Sequence, residues 1–268
     1  MFKGKAIYNP SGKAGEYSYW ACNFYTGCSN GCTYCYLKKG RCAKVLGSDV
    51  PKLKKCFRNE QHALDIFAKE LAVNLEELKK HGLFFSFTTD PMLPETNNLT
   101  YLALWHAEVR GVPVKILTKR TDWIGNGTWK AFRKDITAIG FTITNKNHFE
   151  PGACSNEKRY DALRTLHDAG VKTFVSLEPM FDFTTGRTII SKLIADKSCD
   201  LVKIGLLSGK KYKAHQALEF YYWLRDQNPP FKIYIKDSLS KLISPITTIQ
   251  GQPFVSRSYN IFTDGTNN

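Results

Sequence analysis

Residues 17–38 read YSYWACNFYTGCSNGCTYCYLK. The aromatic-rich run YSYWACNFY (17–25) predicts a first β-strand, because such side chains fit a pleated, half-buried surface. It feeds a loop with cysteines at 28, 32 and 35, and Tyr34 stands just before the last of them. Three thiolates on one loop are a soft ligand set, suited to zinc or to an iron–sulfur cluster. A closed zinc site takes four protein ligands, usually as two pairs. A cubane cluster held by three cysteines instead leaves one iron open to a further ligand.

The rest of the composition narrows the context. With 268 residues, 43% of them hydrophobic and 13% aromatic, the chain can bury a substantial core, which excludes global disorder. No run approaches the ~20 apolar residues of a membrane-spanning helix. The opening MFKGKAIYNPSGKAG has no apolar secretion segment, so the expected location is cytoplasmic, with no membrane partner. In a reducing compartment, eight cysteines read as metal-binding or catalytic sooner than as disulfides. Lysine and arginine number 38 against 24 acidic residues, a formal charge of +14. That excess suits a polyanionic partner and equally a basic enzyme, since net charge does not identify a partner.

Beyond the cysteine loop, helical and strand patterns alternate. Leu64, Phe67, Leu71, Leu75 and Leu78 recur at helical spacing, predicting a helix over 60–80 that stops at Gly82. Strand 83–90, helix 97–110, strand 112–119, helix 128–138 and strand 140–145 follow. Asn156 is the expected cap of a helix over 157–169, which leads to strand 171–178. Helix 185–196, strand 200–207, helix 213–227 and strand 231–236 complete the series, and the tail 237–268 closes the mouth of the fold or frays. About seven apolar strands separated by helices mark a parallel α/β domain of one unit, 1–268, with its core over 17–236. Periodicity leaves open whether the sheet is a barrel or doubly wound. Thr88-Thr89-Asp90, Thr118-Lys119-Arg120, Thr142 to Asn145, Glu178 and Ser208 fall at the predicted C-terminal strand ends, the edge on which βα folds build sites.

The spacing Cys28-x3-Cys32-x2-Cys35, with aromatic Tyr34 and a preceding strand, resembles the radical SAM superfamily motif. The closest resemblance is to the spore photoproduct lyase-like branch, in order over roughly 17–180. TTDPMLPE (88–95) resembles its T-[SD]-D-P segment, LTKR (117–120) its T-K segment and FTIT (141–144) its polar fourth strand. FEPGACSNEKRYDALRTLHDAG (149–170) resembles its E-P-x5–8-R-x-x-A stretch. The resemblance implies a partial (β/α)6-type TIM barrel. It also implies a [4Fe–4S] cluster on Cys28, Cys32 and Cys35 whose open iron binds S-adenosylmethionine. One electron would cleave that cofactor to a 5′-deoxyadenosyl radical that abstracts hydrogen from substrate, with the cofactor carrying the chemistry and the protein placing it. The cofactor set would be Tyr34 (backbone against adenine), Thr89, Asp90, Lys119 (paired to the carboxylate), Thr142 (ribose or carboxylate) and Arg159, which would brace Glu150 or reach the cofactor. The electron would come from a donor such as flavodoxin or ferredoxin.

One departure bears on the substrate. In that branch a cysteine just before the T-S-D segment returns hydrogen to the product radical, whereas Phe87 stands there and has no hydrogen to give. Repair of thymine dimers by that route is therefore not expected. Cys154 and Glu178 are the candidate catalytic residues, and the basic charge with the branch's DNA chemistry suggests a nucleic-acid or nucleotide substrate. Cys22, Cys42 and Cys56 flank the loop without the grouping of a second cluster. The competing reading is a zinc-stabilised nucleic-acid-binding protein without catalysis. It requires a fourth ligand and leaves the strand-end motifs unexplained.

Overall fold

The structure, a computed structural model, describes residues 1–40 and 43–263. It is a mixed α/β protein with a mostly parallel central sheet, consistent with a partial TIM barrel. Contacts divide the chain into two compact units, 1–138 with 147–155, and 139–146 with 156–268.

The first unit carries β1 (Ile7–Tyr8), α1 (Gly12–Gly15), β2 (Trp20–Cys22), β3 (Tyr25–Thr26), α2 (Ala43–Leu46), β4 (Lys52–Leu53), α3 (Glu60–Val73), α4 (Leu75–His81), β5 (Leu83–Phe85), α5 (Asn97–Val109) and β6 (Val114–Thr118). Its strands lie in the order β1-β2-β5-β6, with β1 antiparallel to β2 and the others parallel. The expected strand 17–25 is broken at Asn23. The Asn23 N–H donates to Ala6 O and its Oδ1 accepts the Phe87 N–H, so the chain leaves the sheet and restarts as β3, antiparallel to β4. Strand 83–90 shortens to β5 because Ser86 and Thr88 hydroxyls bond the carbonyls of Thr89 and Tyr25, turning the chain after Phe85.

Helix 60–80 is two helices. Asn59 caps the first through the His62 N–H, and Ala63, Leu64, Phe67 and Leu71 form its buried stripe. At Asn74 both the backbone N–H and Nδ2 donate to Glu70 O, so the side chain competes for a helical acceptor and the helix restarts one residue on. Gly82 ends it at φ 71°, as expected. The helix expected over 128–138 is absent. Only a 3-10 turn, Thr128–Ala131, forms, while buried Glu108 of α5 accepts from Arg133 N–H and the Thr137 hydroxyl and holds a second turn over 133–136 that leads into the next strand. Trp129, Phe132 and Ile136 do recur at helical spacing, so here the tertiary bonds to Glu108 override a local helical pattern.

Strand β7 (Thr137–Thr142) begins in the first unit and ends in the second. The second unit continues with α6 (Asn156–Asp168), β8 (Lys172–Met180), α7 (Phe183–Asp196), β9 (Leu201–Leu206), α8 (Ala214–Asp226), β10 (Lys232–Ile235) and α9 (Asp237–Ile243). Its strands follow the order β7-β8-β9-β10, and β8, β9 and β10 pair in parallel. Gly140 is required in β7, since a Cβ there would lie 2.3 Å from the Phe174 ring. Asn156 is the first residue of α6. Its Oδ1 accepts the N–H groups of Thr144 and Asn145 at 2.9 and 3.1 Å, fixing the end of β7. The tail forms α9 and then pairs with the free edge of β10, where Ile233 exchanges bonds with Pro253 O and Val255 N–H. Among the described residues, no helix is long and apolar enough to cross a membrane.

Candidate functional site

The cysteine loop is shaped by its backbone. Gly27 takes φ 83° and a Cβ there would meet Val50 O at 2.5 Å, so only glycine lets the loop fold under residues 48–50. The Cys28 N–H then donates to Ser48 O at 2.9 Å. As a result Cys28, Cys32 and Cys35 all line one half-open pocket, together with Leu37, Leu46 and Ser48.

The segment Phe149–Gly152 clasps this loop. The Thr33 N–H donates to Phe149 O, and the Gly152 N–H to Asn30 O, at 2.9 and 3.0 Å. The Tyr34 hydroxyl donates to the Glu150 carboxylate, and the Lys119 ammonium sits 5.7 Å from the Tyr34 ring centroid. Gly152 approaches so closely that a Cβ would lie 2.1 Å from Ser29 O. Glu150 is thus a clasp for the aromatic residue of the cysteine motif.

Asp90 joins the loop to the ends of β5 and β6. Its Oδ1 accepts from the Met92 N–H (3.0 Å) and the Thr118 hydroxyl (2.6 Å). Its Oδ2 accepts from Asn30 Nδ2 and the Lys119 N–H, both at 2.7 Å. Both oxygens are engaged by protein donors, so Asp90 brackets the loop to the strand ends. Beside it, buried Thr89 Oγ1 and Asn30 Oδ1 find no hydrogen-bond partner among the described residues. Such atoms are costly unless a further group meets them.

Burial pushes the Cys28 thiol up to about 12, helped by the negative Asp90 and opposed by Lys119. Cys32 is raised for the same first reason, with Lys119 again pulling it down. Cys154 lies on the clasp side: its thiol donates to Asp122 at 2.6 Å, and it accepts the Thr121 N–H at 3.3 Å. Arg120 bonds both Asp122 and Gly152 O. Cys22 and Cys199 are deeply buried with thiols held protonated, Cys56 is exposed, and Cys42 lies outside the described residues.

In the second unit Arg159 is fully buried, not solvated on its helix, and its Nη1 donates to Thr142 O at 2.8 Å. Glu178 pairs with Lys236, the residue after β10, whose side chain is fully buried. A Cβ at Gly205 would lie 2.8 Å from the Glu178 carboxyl carbon, so glycine makes the room for that carboxylate. Sequence reasoning overlooked Asn30 and Lys236, and gave Glu150 only as a partner of Arg159 and not of Tyr34. Lys236 left a trace, a charge directly ending the apolar run FKIYI.

The donor set fits an iron–sulfur cluster with an attached cofactor: three thiols around one pocket, a cation beside them, and two buried polar atoms awaiting a partner. Among the described residues, no group of His, Cys, Asp or Glu is arranged to hold a single metal ion.

No family model matches the chain. Over 187 residues it is 27% identical to the uncharacterized protein MJ0683 of Methanocaldococcus jannaschii, covering 66% of each chain. A spore photoproduct lyase variant superposes at a TM-score of 0.57 and 18% identity, over 75% of this chain and 59% of that one. SuiB of Streptococcus suis, bound to S-adenosylmethionine, gives 0.56 and 11% over 85% and 53%. The chain spans less than two thirds of the length of each of these relatives. This chain shares the fold of both solved structures.

Proposed function

We propose that the protein is a radical SAM enzyme in which Cys28, Cys32 and Cys35 hold a [4Fe–4S] cluster. The observation that supports this reading is that all three cysteines line one pocket, with Lys119 close enough to oppose the rise of the Cys28 and Cys32 thiols. When bound, the cluster and S-adenosylmethionine supply one-electron cleavage and hydrogen-atom abstraction. The protein's part is placement. Lys119 offers a point charge to the cofactor's carboxylate, and Thr89 Oγ1 and Asn30 Oδ1 offer hydrogen bonds. Tyr34, locked by Glu150, presents its backbone to the adenine. The resemblance extends the set to Thr142 and Arg159, and the buried bond between them gives Thr142 a fixed backbone.

The substrate is proposed to be a nucleic acid or nucleotide, in keeping with the +14 charge. Cys154, with its thiol hydrogen directed at Asp122, and Glu178 are the residues of this chain offered for the substrate step. The test is anaerobic reconstitution with iron and sulfide, then dithionite and S-adenosylmethionine. Formation of 5′-deoxyadenosine and methionine is expected, and a Cys28/Cys32/Cys35 to alanine variant should bind neither iron nor sulfide. Zinc without sulfide in the native protein, or no cleavage by fully loaded, reduced protein with nucleic acid present, would refute the reading.

A further inference from the structure

We propose that the outward face of α5 is a self-complementary seam that receives α5 of a second copy of this chain, the two helices running antiparallel. The solvent side of a surface helix is ordinarily its polar side. Helix α6 follows that rule, and its exposed positions include Glu157, Lys158, Asp161, Arg164 and Asp168. Helix α5 breaks it. Leu99, Ala103, Leu104 and Ala107 pack inward, while the opposite side presents Leu102, Trp105 and Val109, which are 43%, 60% and 63% exposed.

Together with exposed Asn98, these residues follow one another at steps of four, three and four. On a helix of 3.6 residues per turn they share an arc of about 60°, and none of them is charged. That spacing is the seam of paired helices, with Asn98 as its one polar position. Apolar side chains scattered singly over a surface need no partner, but these three are contiguous. They expose roughly 300–400 Å² on one helix face, a patch of the size that is often functional. Trp105 is also the kind of side chain that anchors interfaces.

Two observations favour a second copy as the occupant. The first is register. With two α5 helices antiparallel about a two-fold axis midway between Leu102 and Trp105, each Leu102 meets Trp105 of the other copy. Each Asn98 meets Val109, so a larger residue faces a smaller one along the seam. The second is charge. Exposed Glu95 stands just before the start of α5, and Arg110 directly follows its end. Antiparallel pairing brings Glu95 of each copy toward Arg110 of the other, so opposite signs meet at both ends of the seam. The +14 charge of each chain opposes association at long range, but at about 0.15 M salt screening over ~8 Å removes most of that repulsion. Two seams with their polar borders fall at the small end of specific interfaces, below about 1,200 Å², so a weak dimer that forms with concentration is expected. The seam uses none of the residues around the cysteine pocket.

Sedimentation equilibrium of the purified chain, from low micromolar to hundreds of micromolar, tests this. The mass should rise from that of one chain toward that of two. Leu102→Glu and Trp105→Lys, made separately, should each weaken the dimer at least tenfold. Both introduce good helix formers at exposed positions, and circular dichroism melting checks their folding. Mixing the two variants in equal amounts should restore association. Each mixed pair keeps one leucine–tryptophan contact and gains one glutamate–lysine contact, which the antiparallel register alone supplies. A wild-type chain that stays monomeric throughout would overturn the proposal and leave the seam to a different protein. So would a dimer that neither variant weakens, which would place the interface elsewhere. Folded variants that lose the dimer and do not recover it on mixing would overturn the antiparallel pairing.

Discussion

Replacing Asp90 by asparagine tests the bracket beneath the cysteine loop. The carboxylate serves four donors, two on each oxygen. An amide must turn its NH2 toward one of these pairs. Facing the Oδ1 pair, the Thr118 hydroxyl can rotate to accept, but the Met92 N–H is stranded. Facing the Oδ2 pair, Asn30 can flip its own amide, but the Lys119 N–H is stranded. Either way one buried backbone donor loses its acceptor, at about 1–3 kcal/mol, and the surviving bonds lose their charge assistance. The net cost is about 2–3 kcal/mol, which for a chain of this size corresponds to a thermal midpoint lower by ~4–10 °C. Circular dichroism melting of the metal-free protein reads it. A midpoint within ~1 °C of wild type would refute the claim that this carboxylate organises the loop. The same variant should also bind S-adenosylmethionine more weakly once loaded, because Lys119 and Asn30 both take their positions from Asp90.

Three further outcomes follow from named contacts. Lys236→Met alone should cost about 3–5 kcal/mol by leaving the Glu178 charge without its partner, whereas adding Glu178→Gln should recover much of the loss in a double-mutant melt. Gly152→Ala should sharply lower iron and sulfide uptake, because its Cβ would strike Ser29 O at 2.1 Å, while Gly125→Ala, with nothing within 4 Å, should load normally. The metal-free protein should lose stability as pH rises from about 9 to about 12. Burial raises Cys28 from 9.0 and Tyr8 from 10.0, each to about 12, so the fold retains protons that the unfolded chain has released. Stability is therefore complete below the unfolded values and declines through the folded ones. Urea melts showing no decline across that window would contradict the burial of these groups.

Periodicity located most helices and strands because the helical stripe of Leu64, Phe67 and Leu71 and the apolar runs of β6 to β10 reflect burial directly. It missed where polar side chains redirect the backbone. Asn23 and Glu108 satisfy main-chain groups 64 and 25 residues away, and Asn156 those at the end of β7, partners that local spacing does not encode, while Asn74 competes for a carbonyl of its own helix. The site divides in the same manner. The three cysteines were legible as a local motif. The clasp by Glu150 and the four-bond role of Asp90 arise only when distant loops converge. Arg159 is assigned by resemblance alone, since its charged sequence neighbours Lys158 and Asp161 give no sign that it faces inward with no exposed surface.

The clasp has a consequence for the order of events in the cell. Cysteines 28 to 35 emerge early in synthesis, but the groups that fix their loop, from Phe149 to Gly152, lie more than a hundred residues further along the chain. Contacts of such high sequence separation form late. The nascent loop therefore passes through a period with its thiols exposed and unorganised, open to oxidation or to the wrong metal. If the loop holds the cluster proposed above, productive delivery belongs after residue 152 has been made, which ties maturation of the site to completion of its first unit.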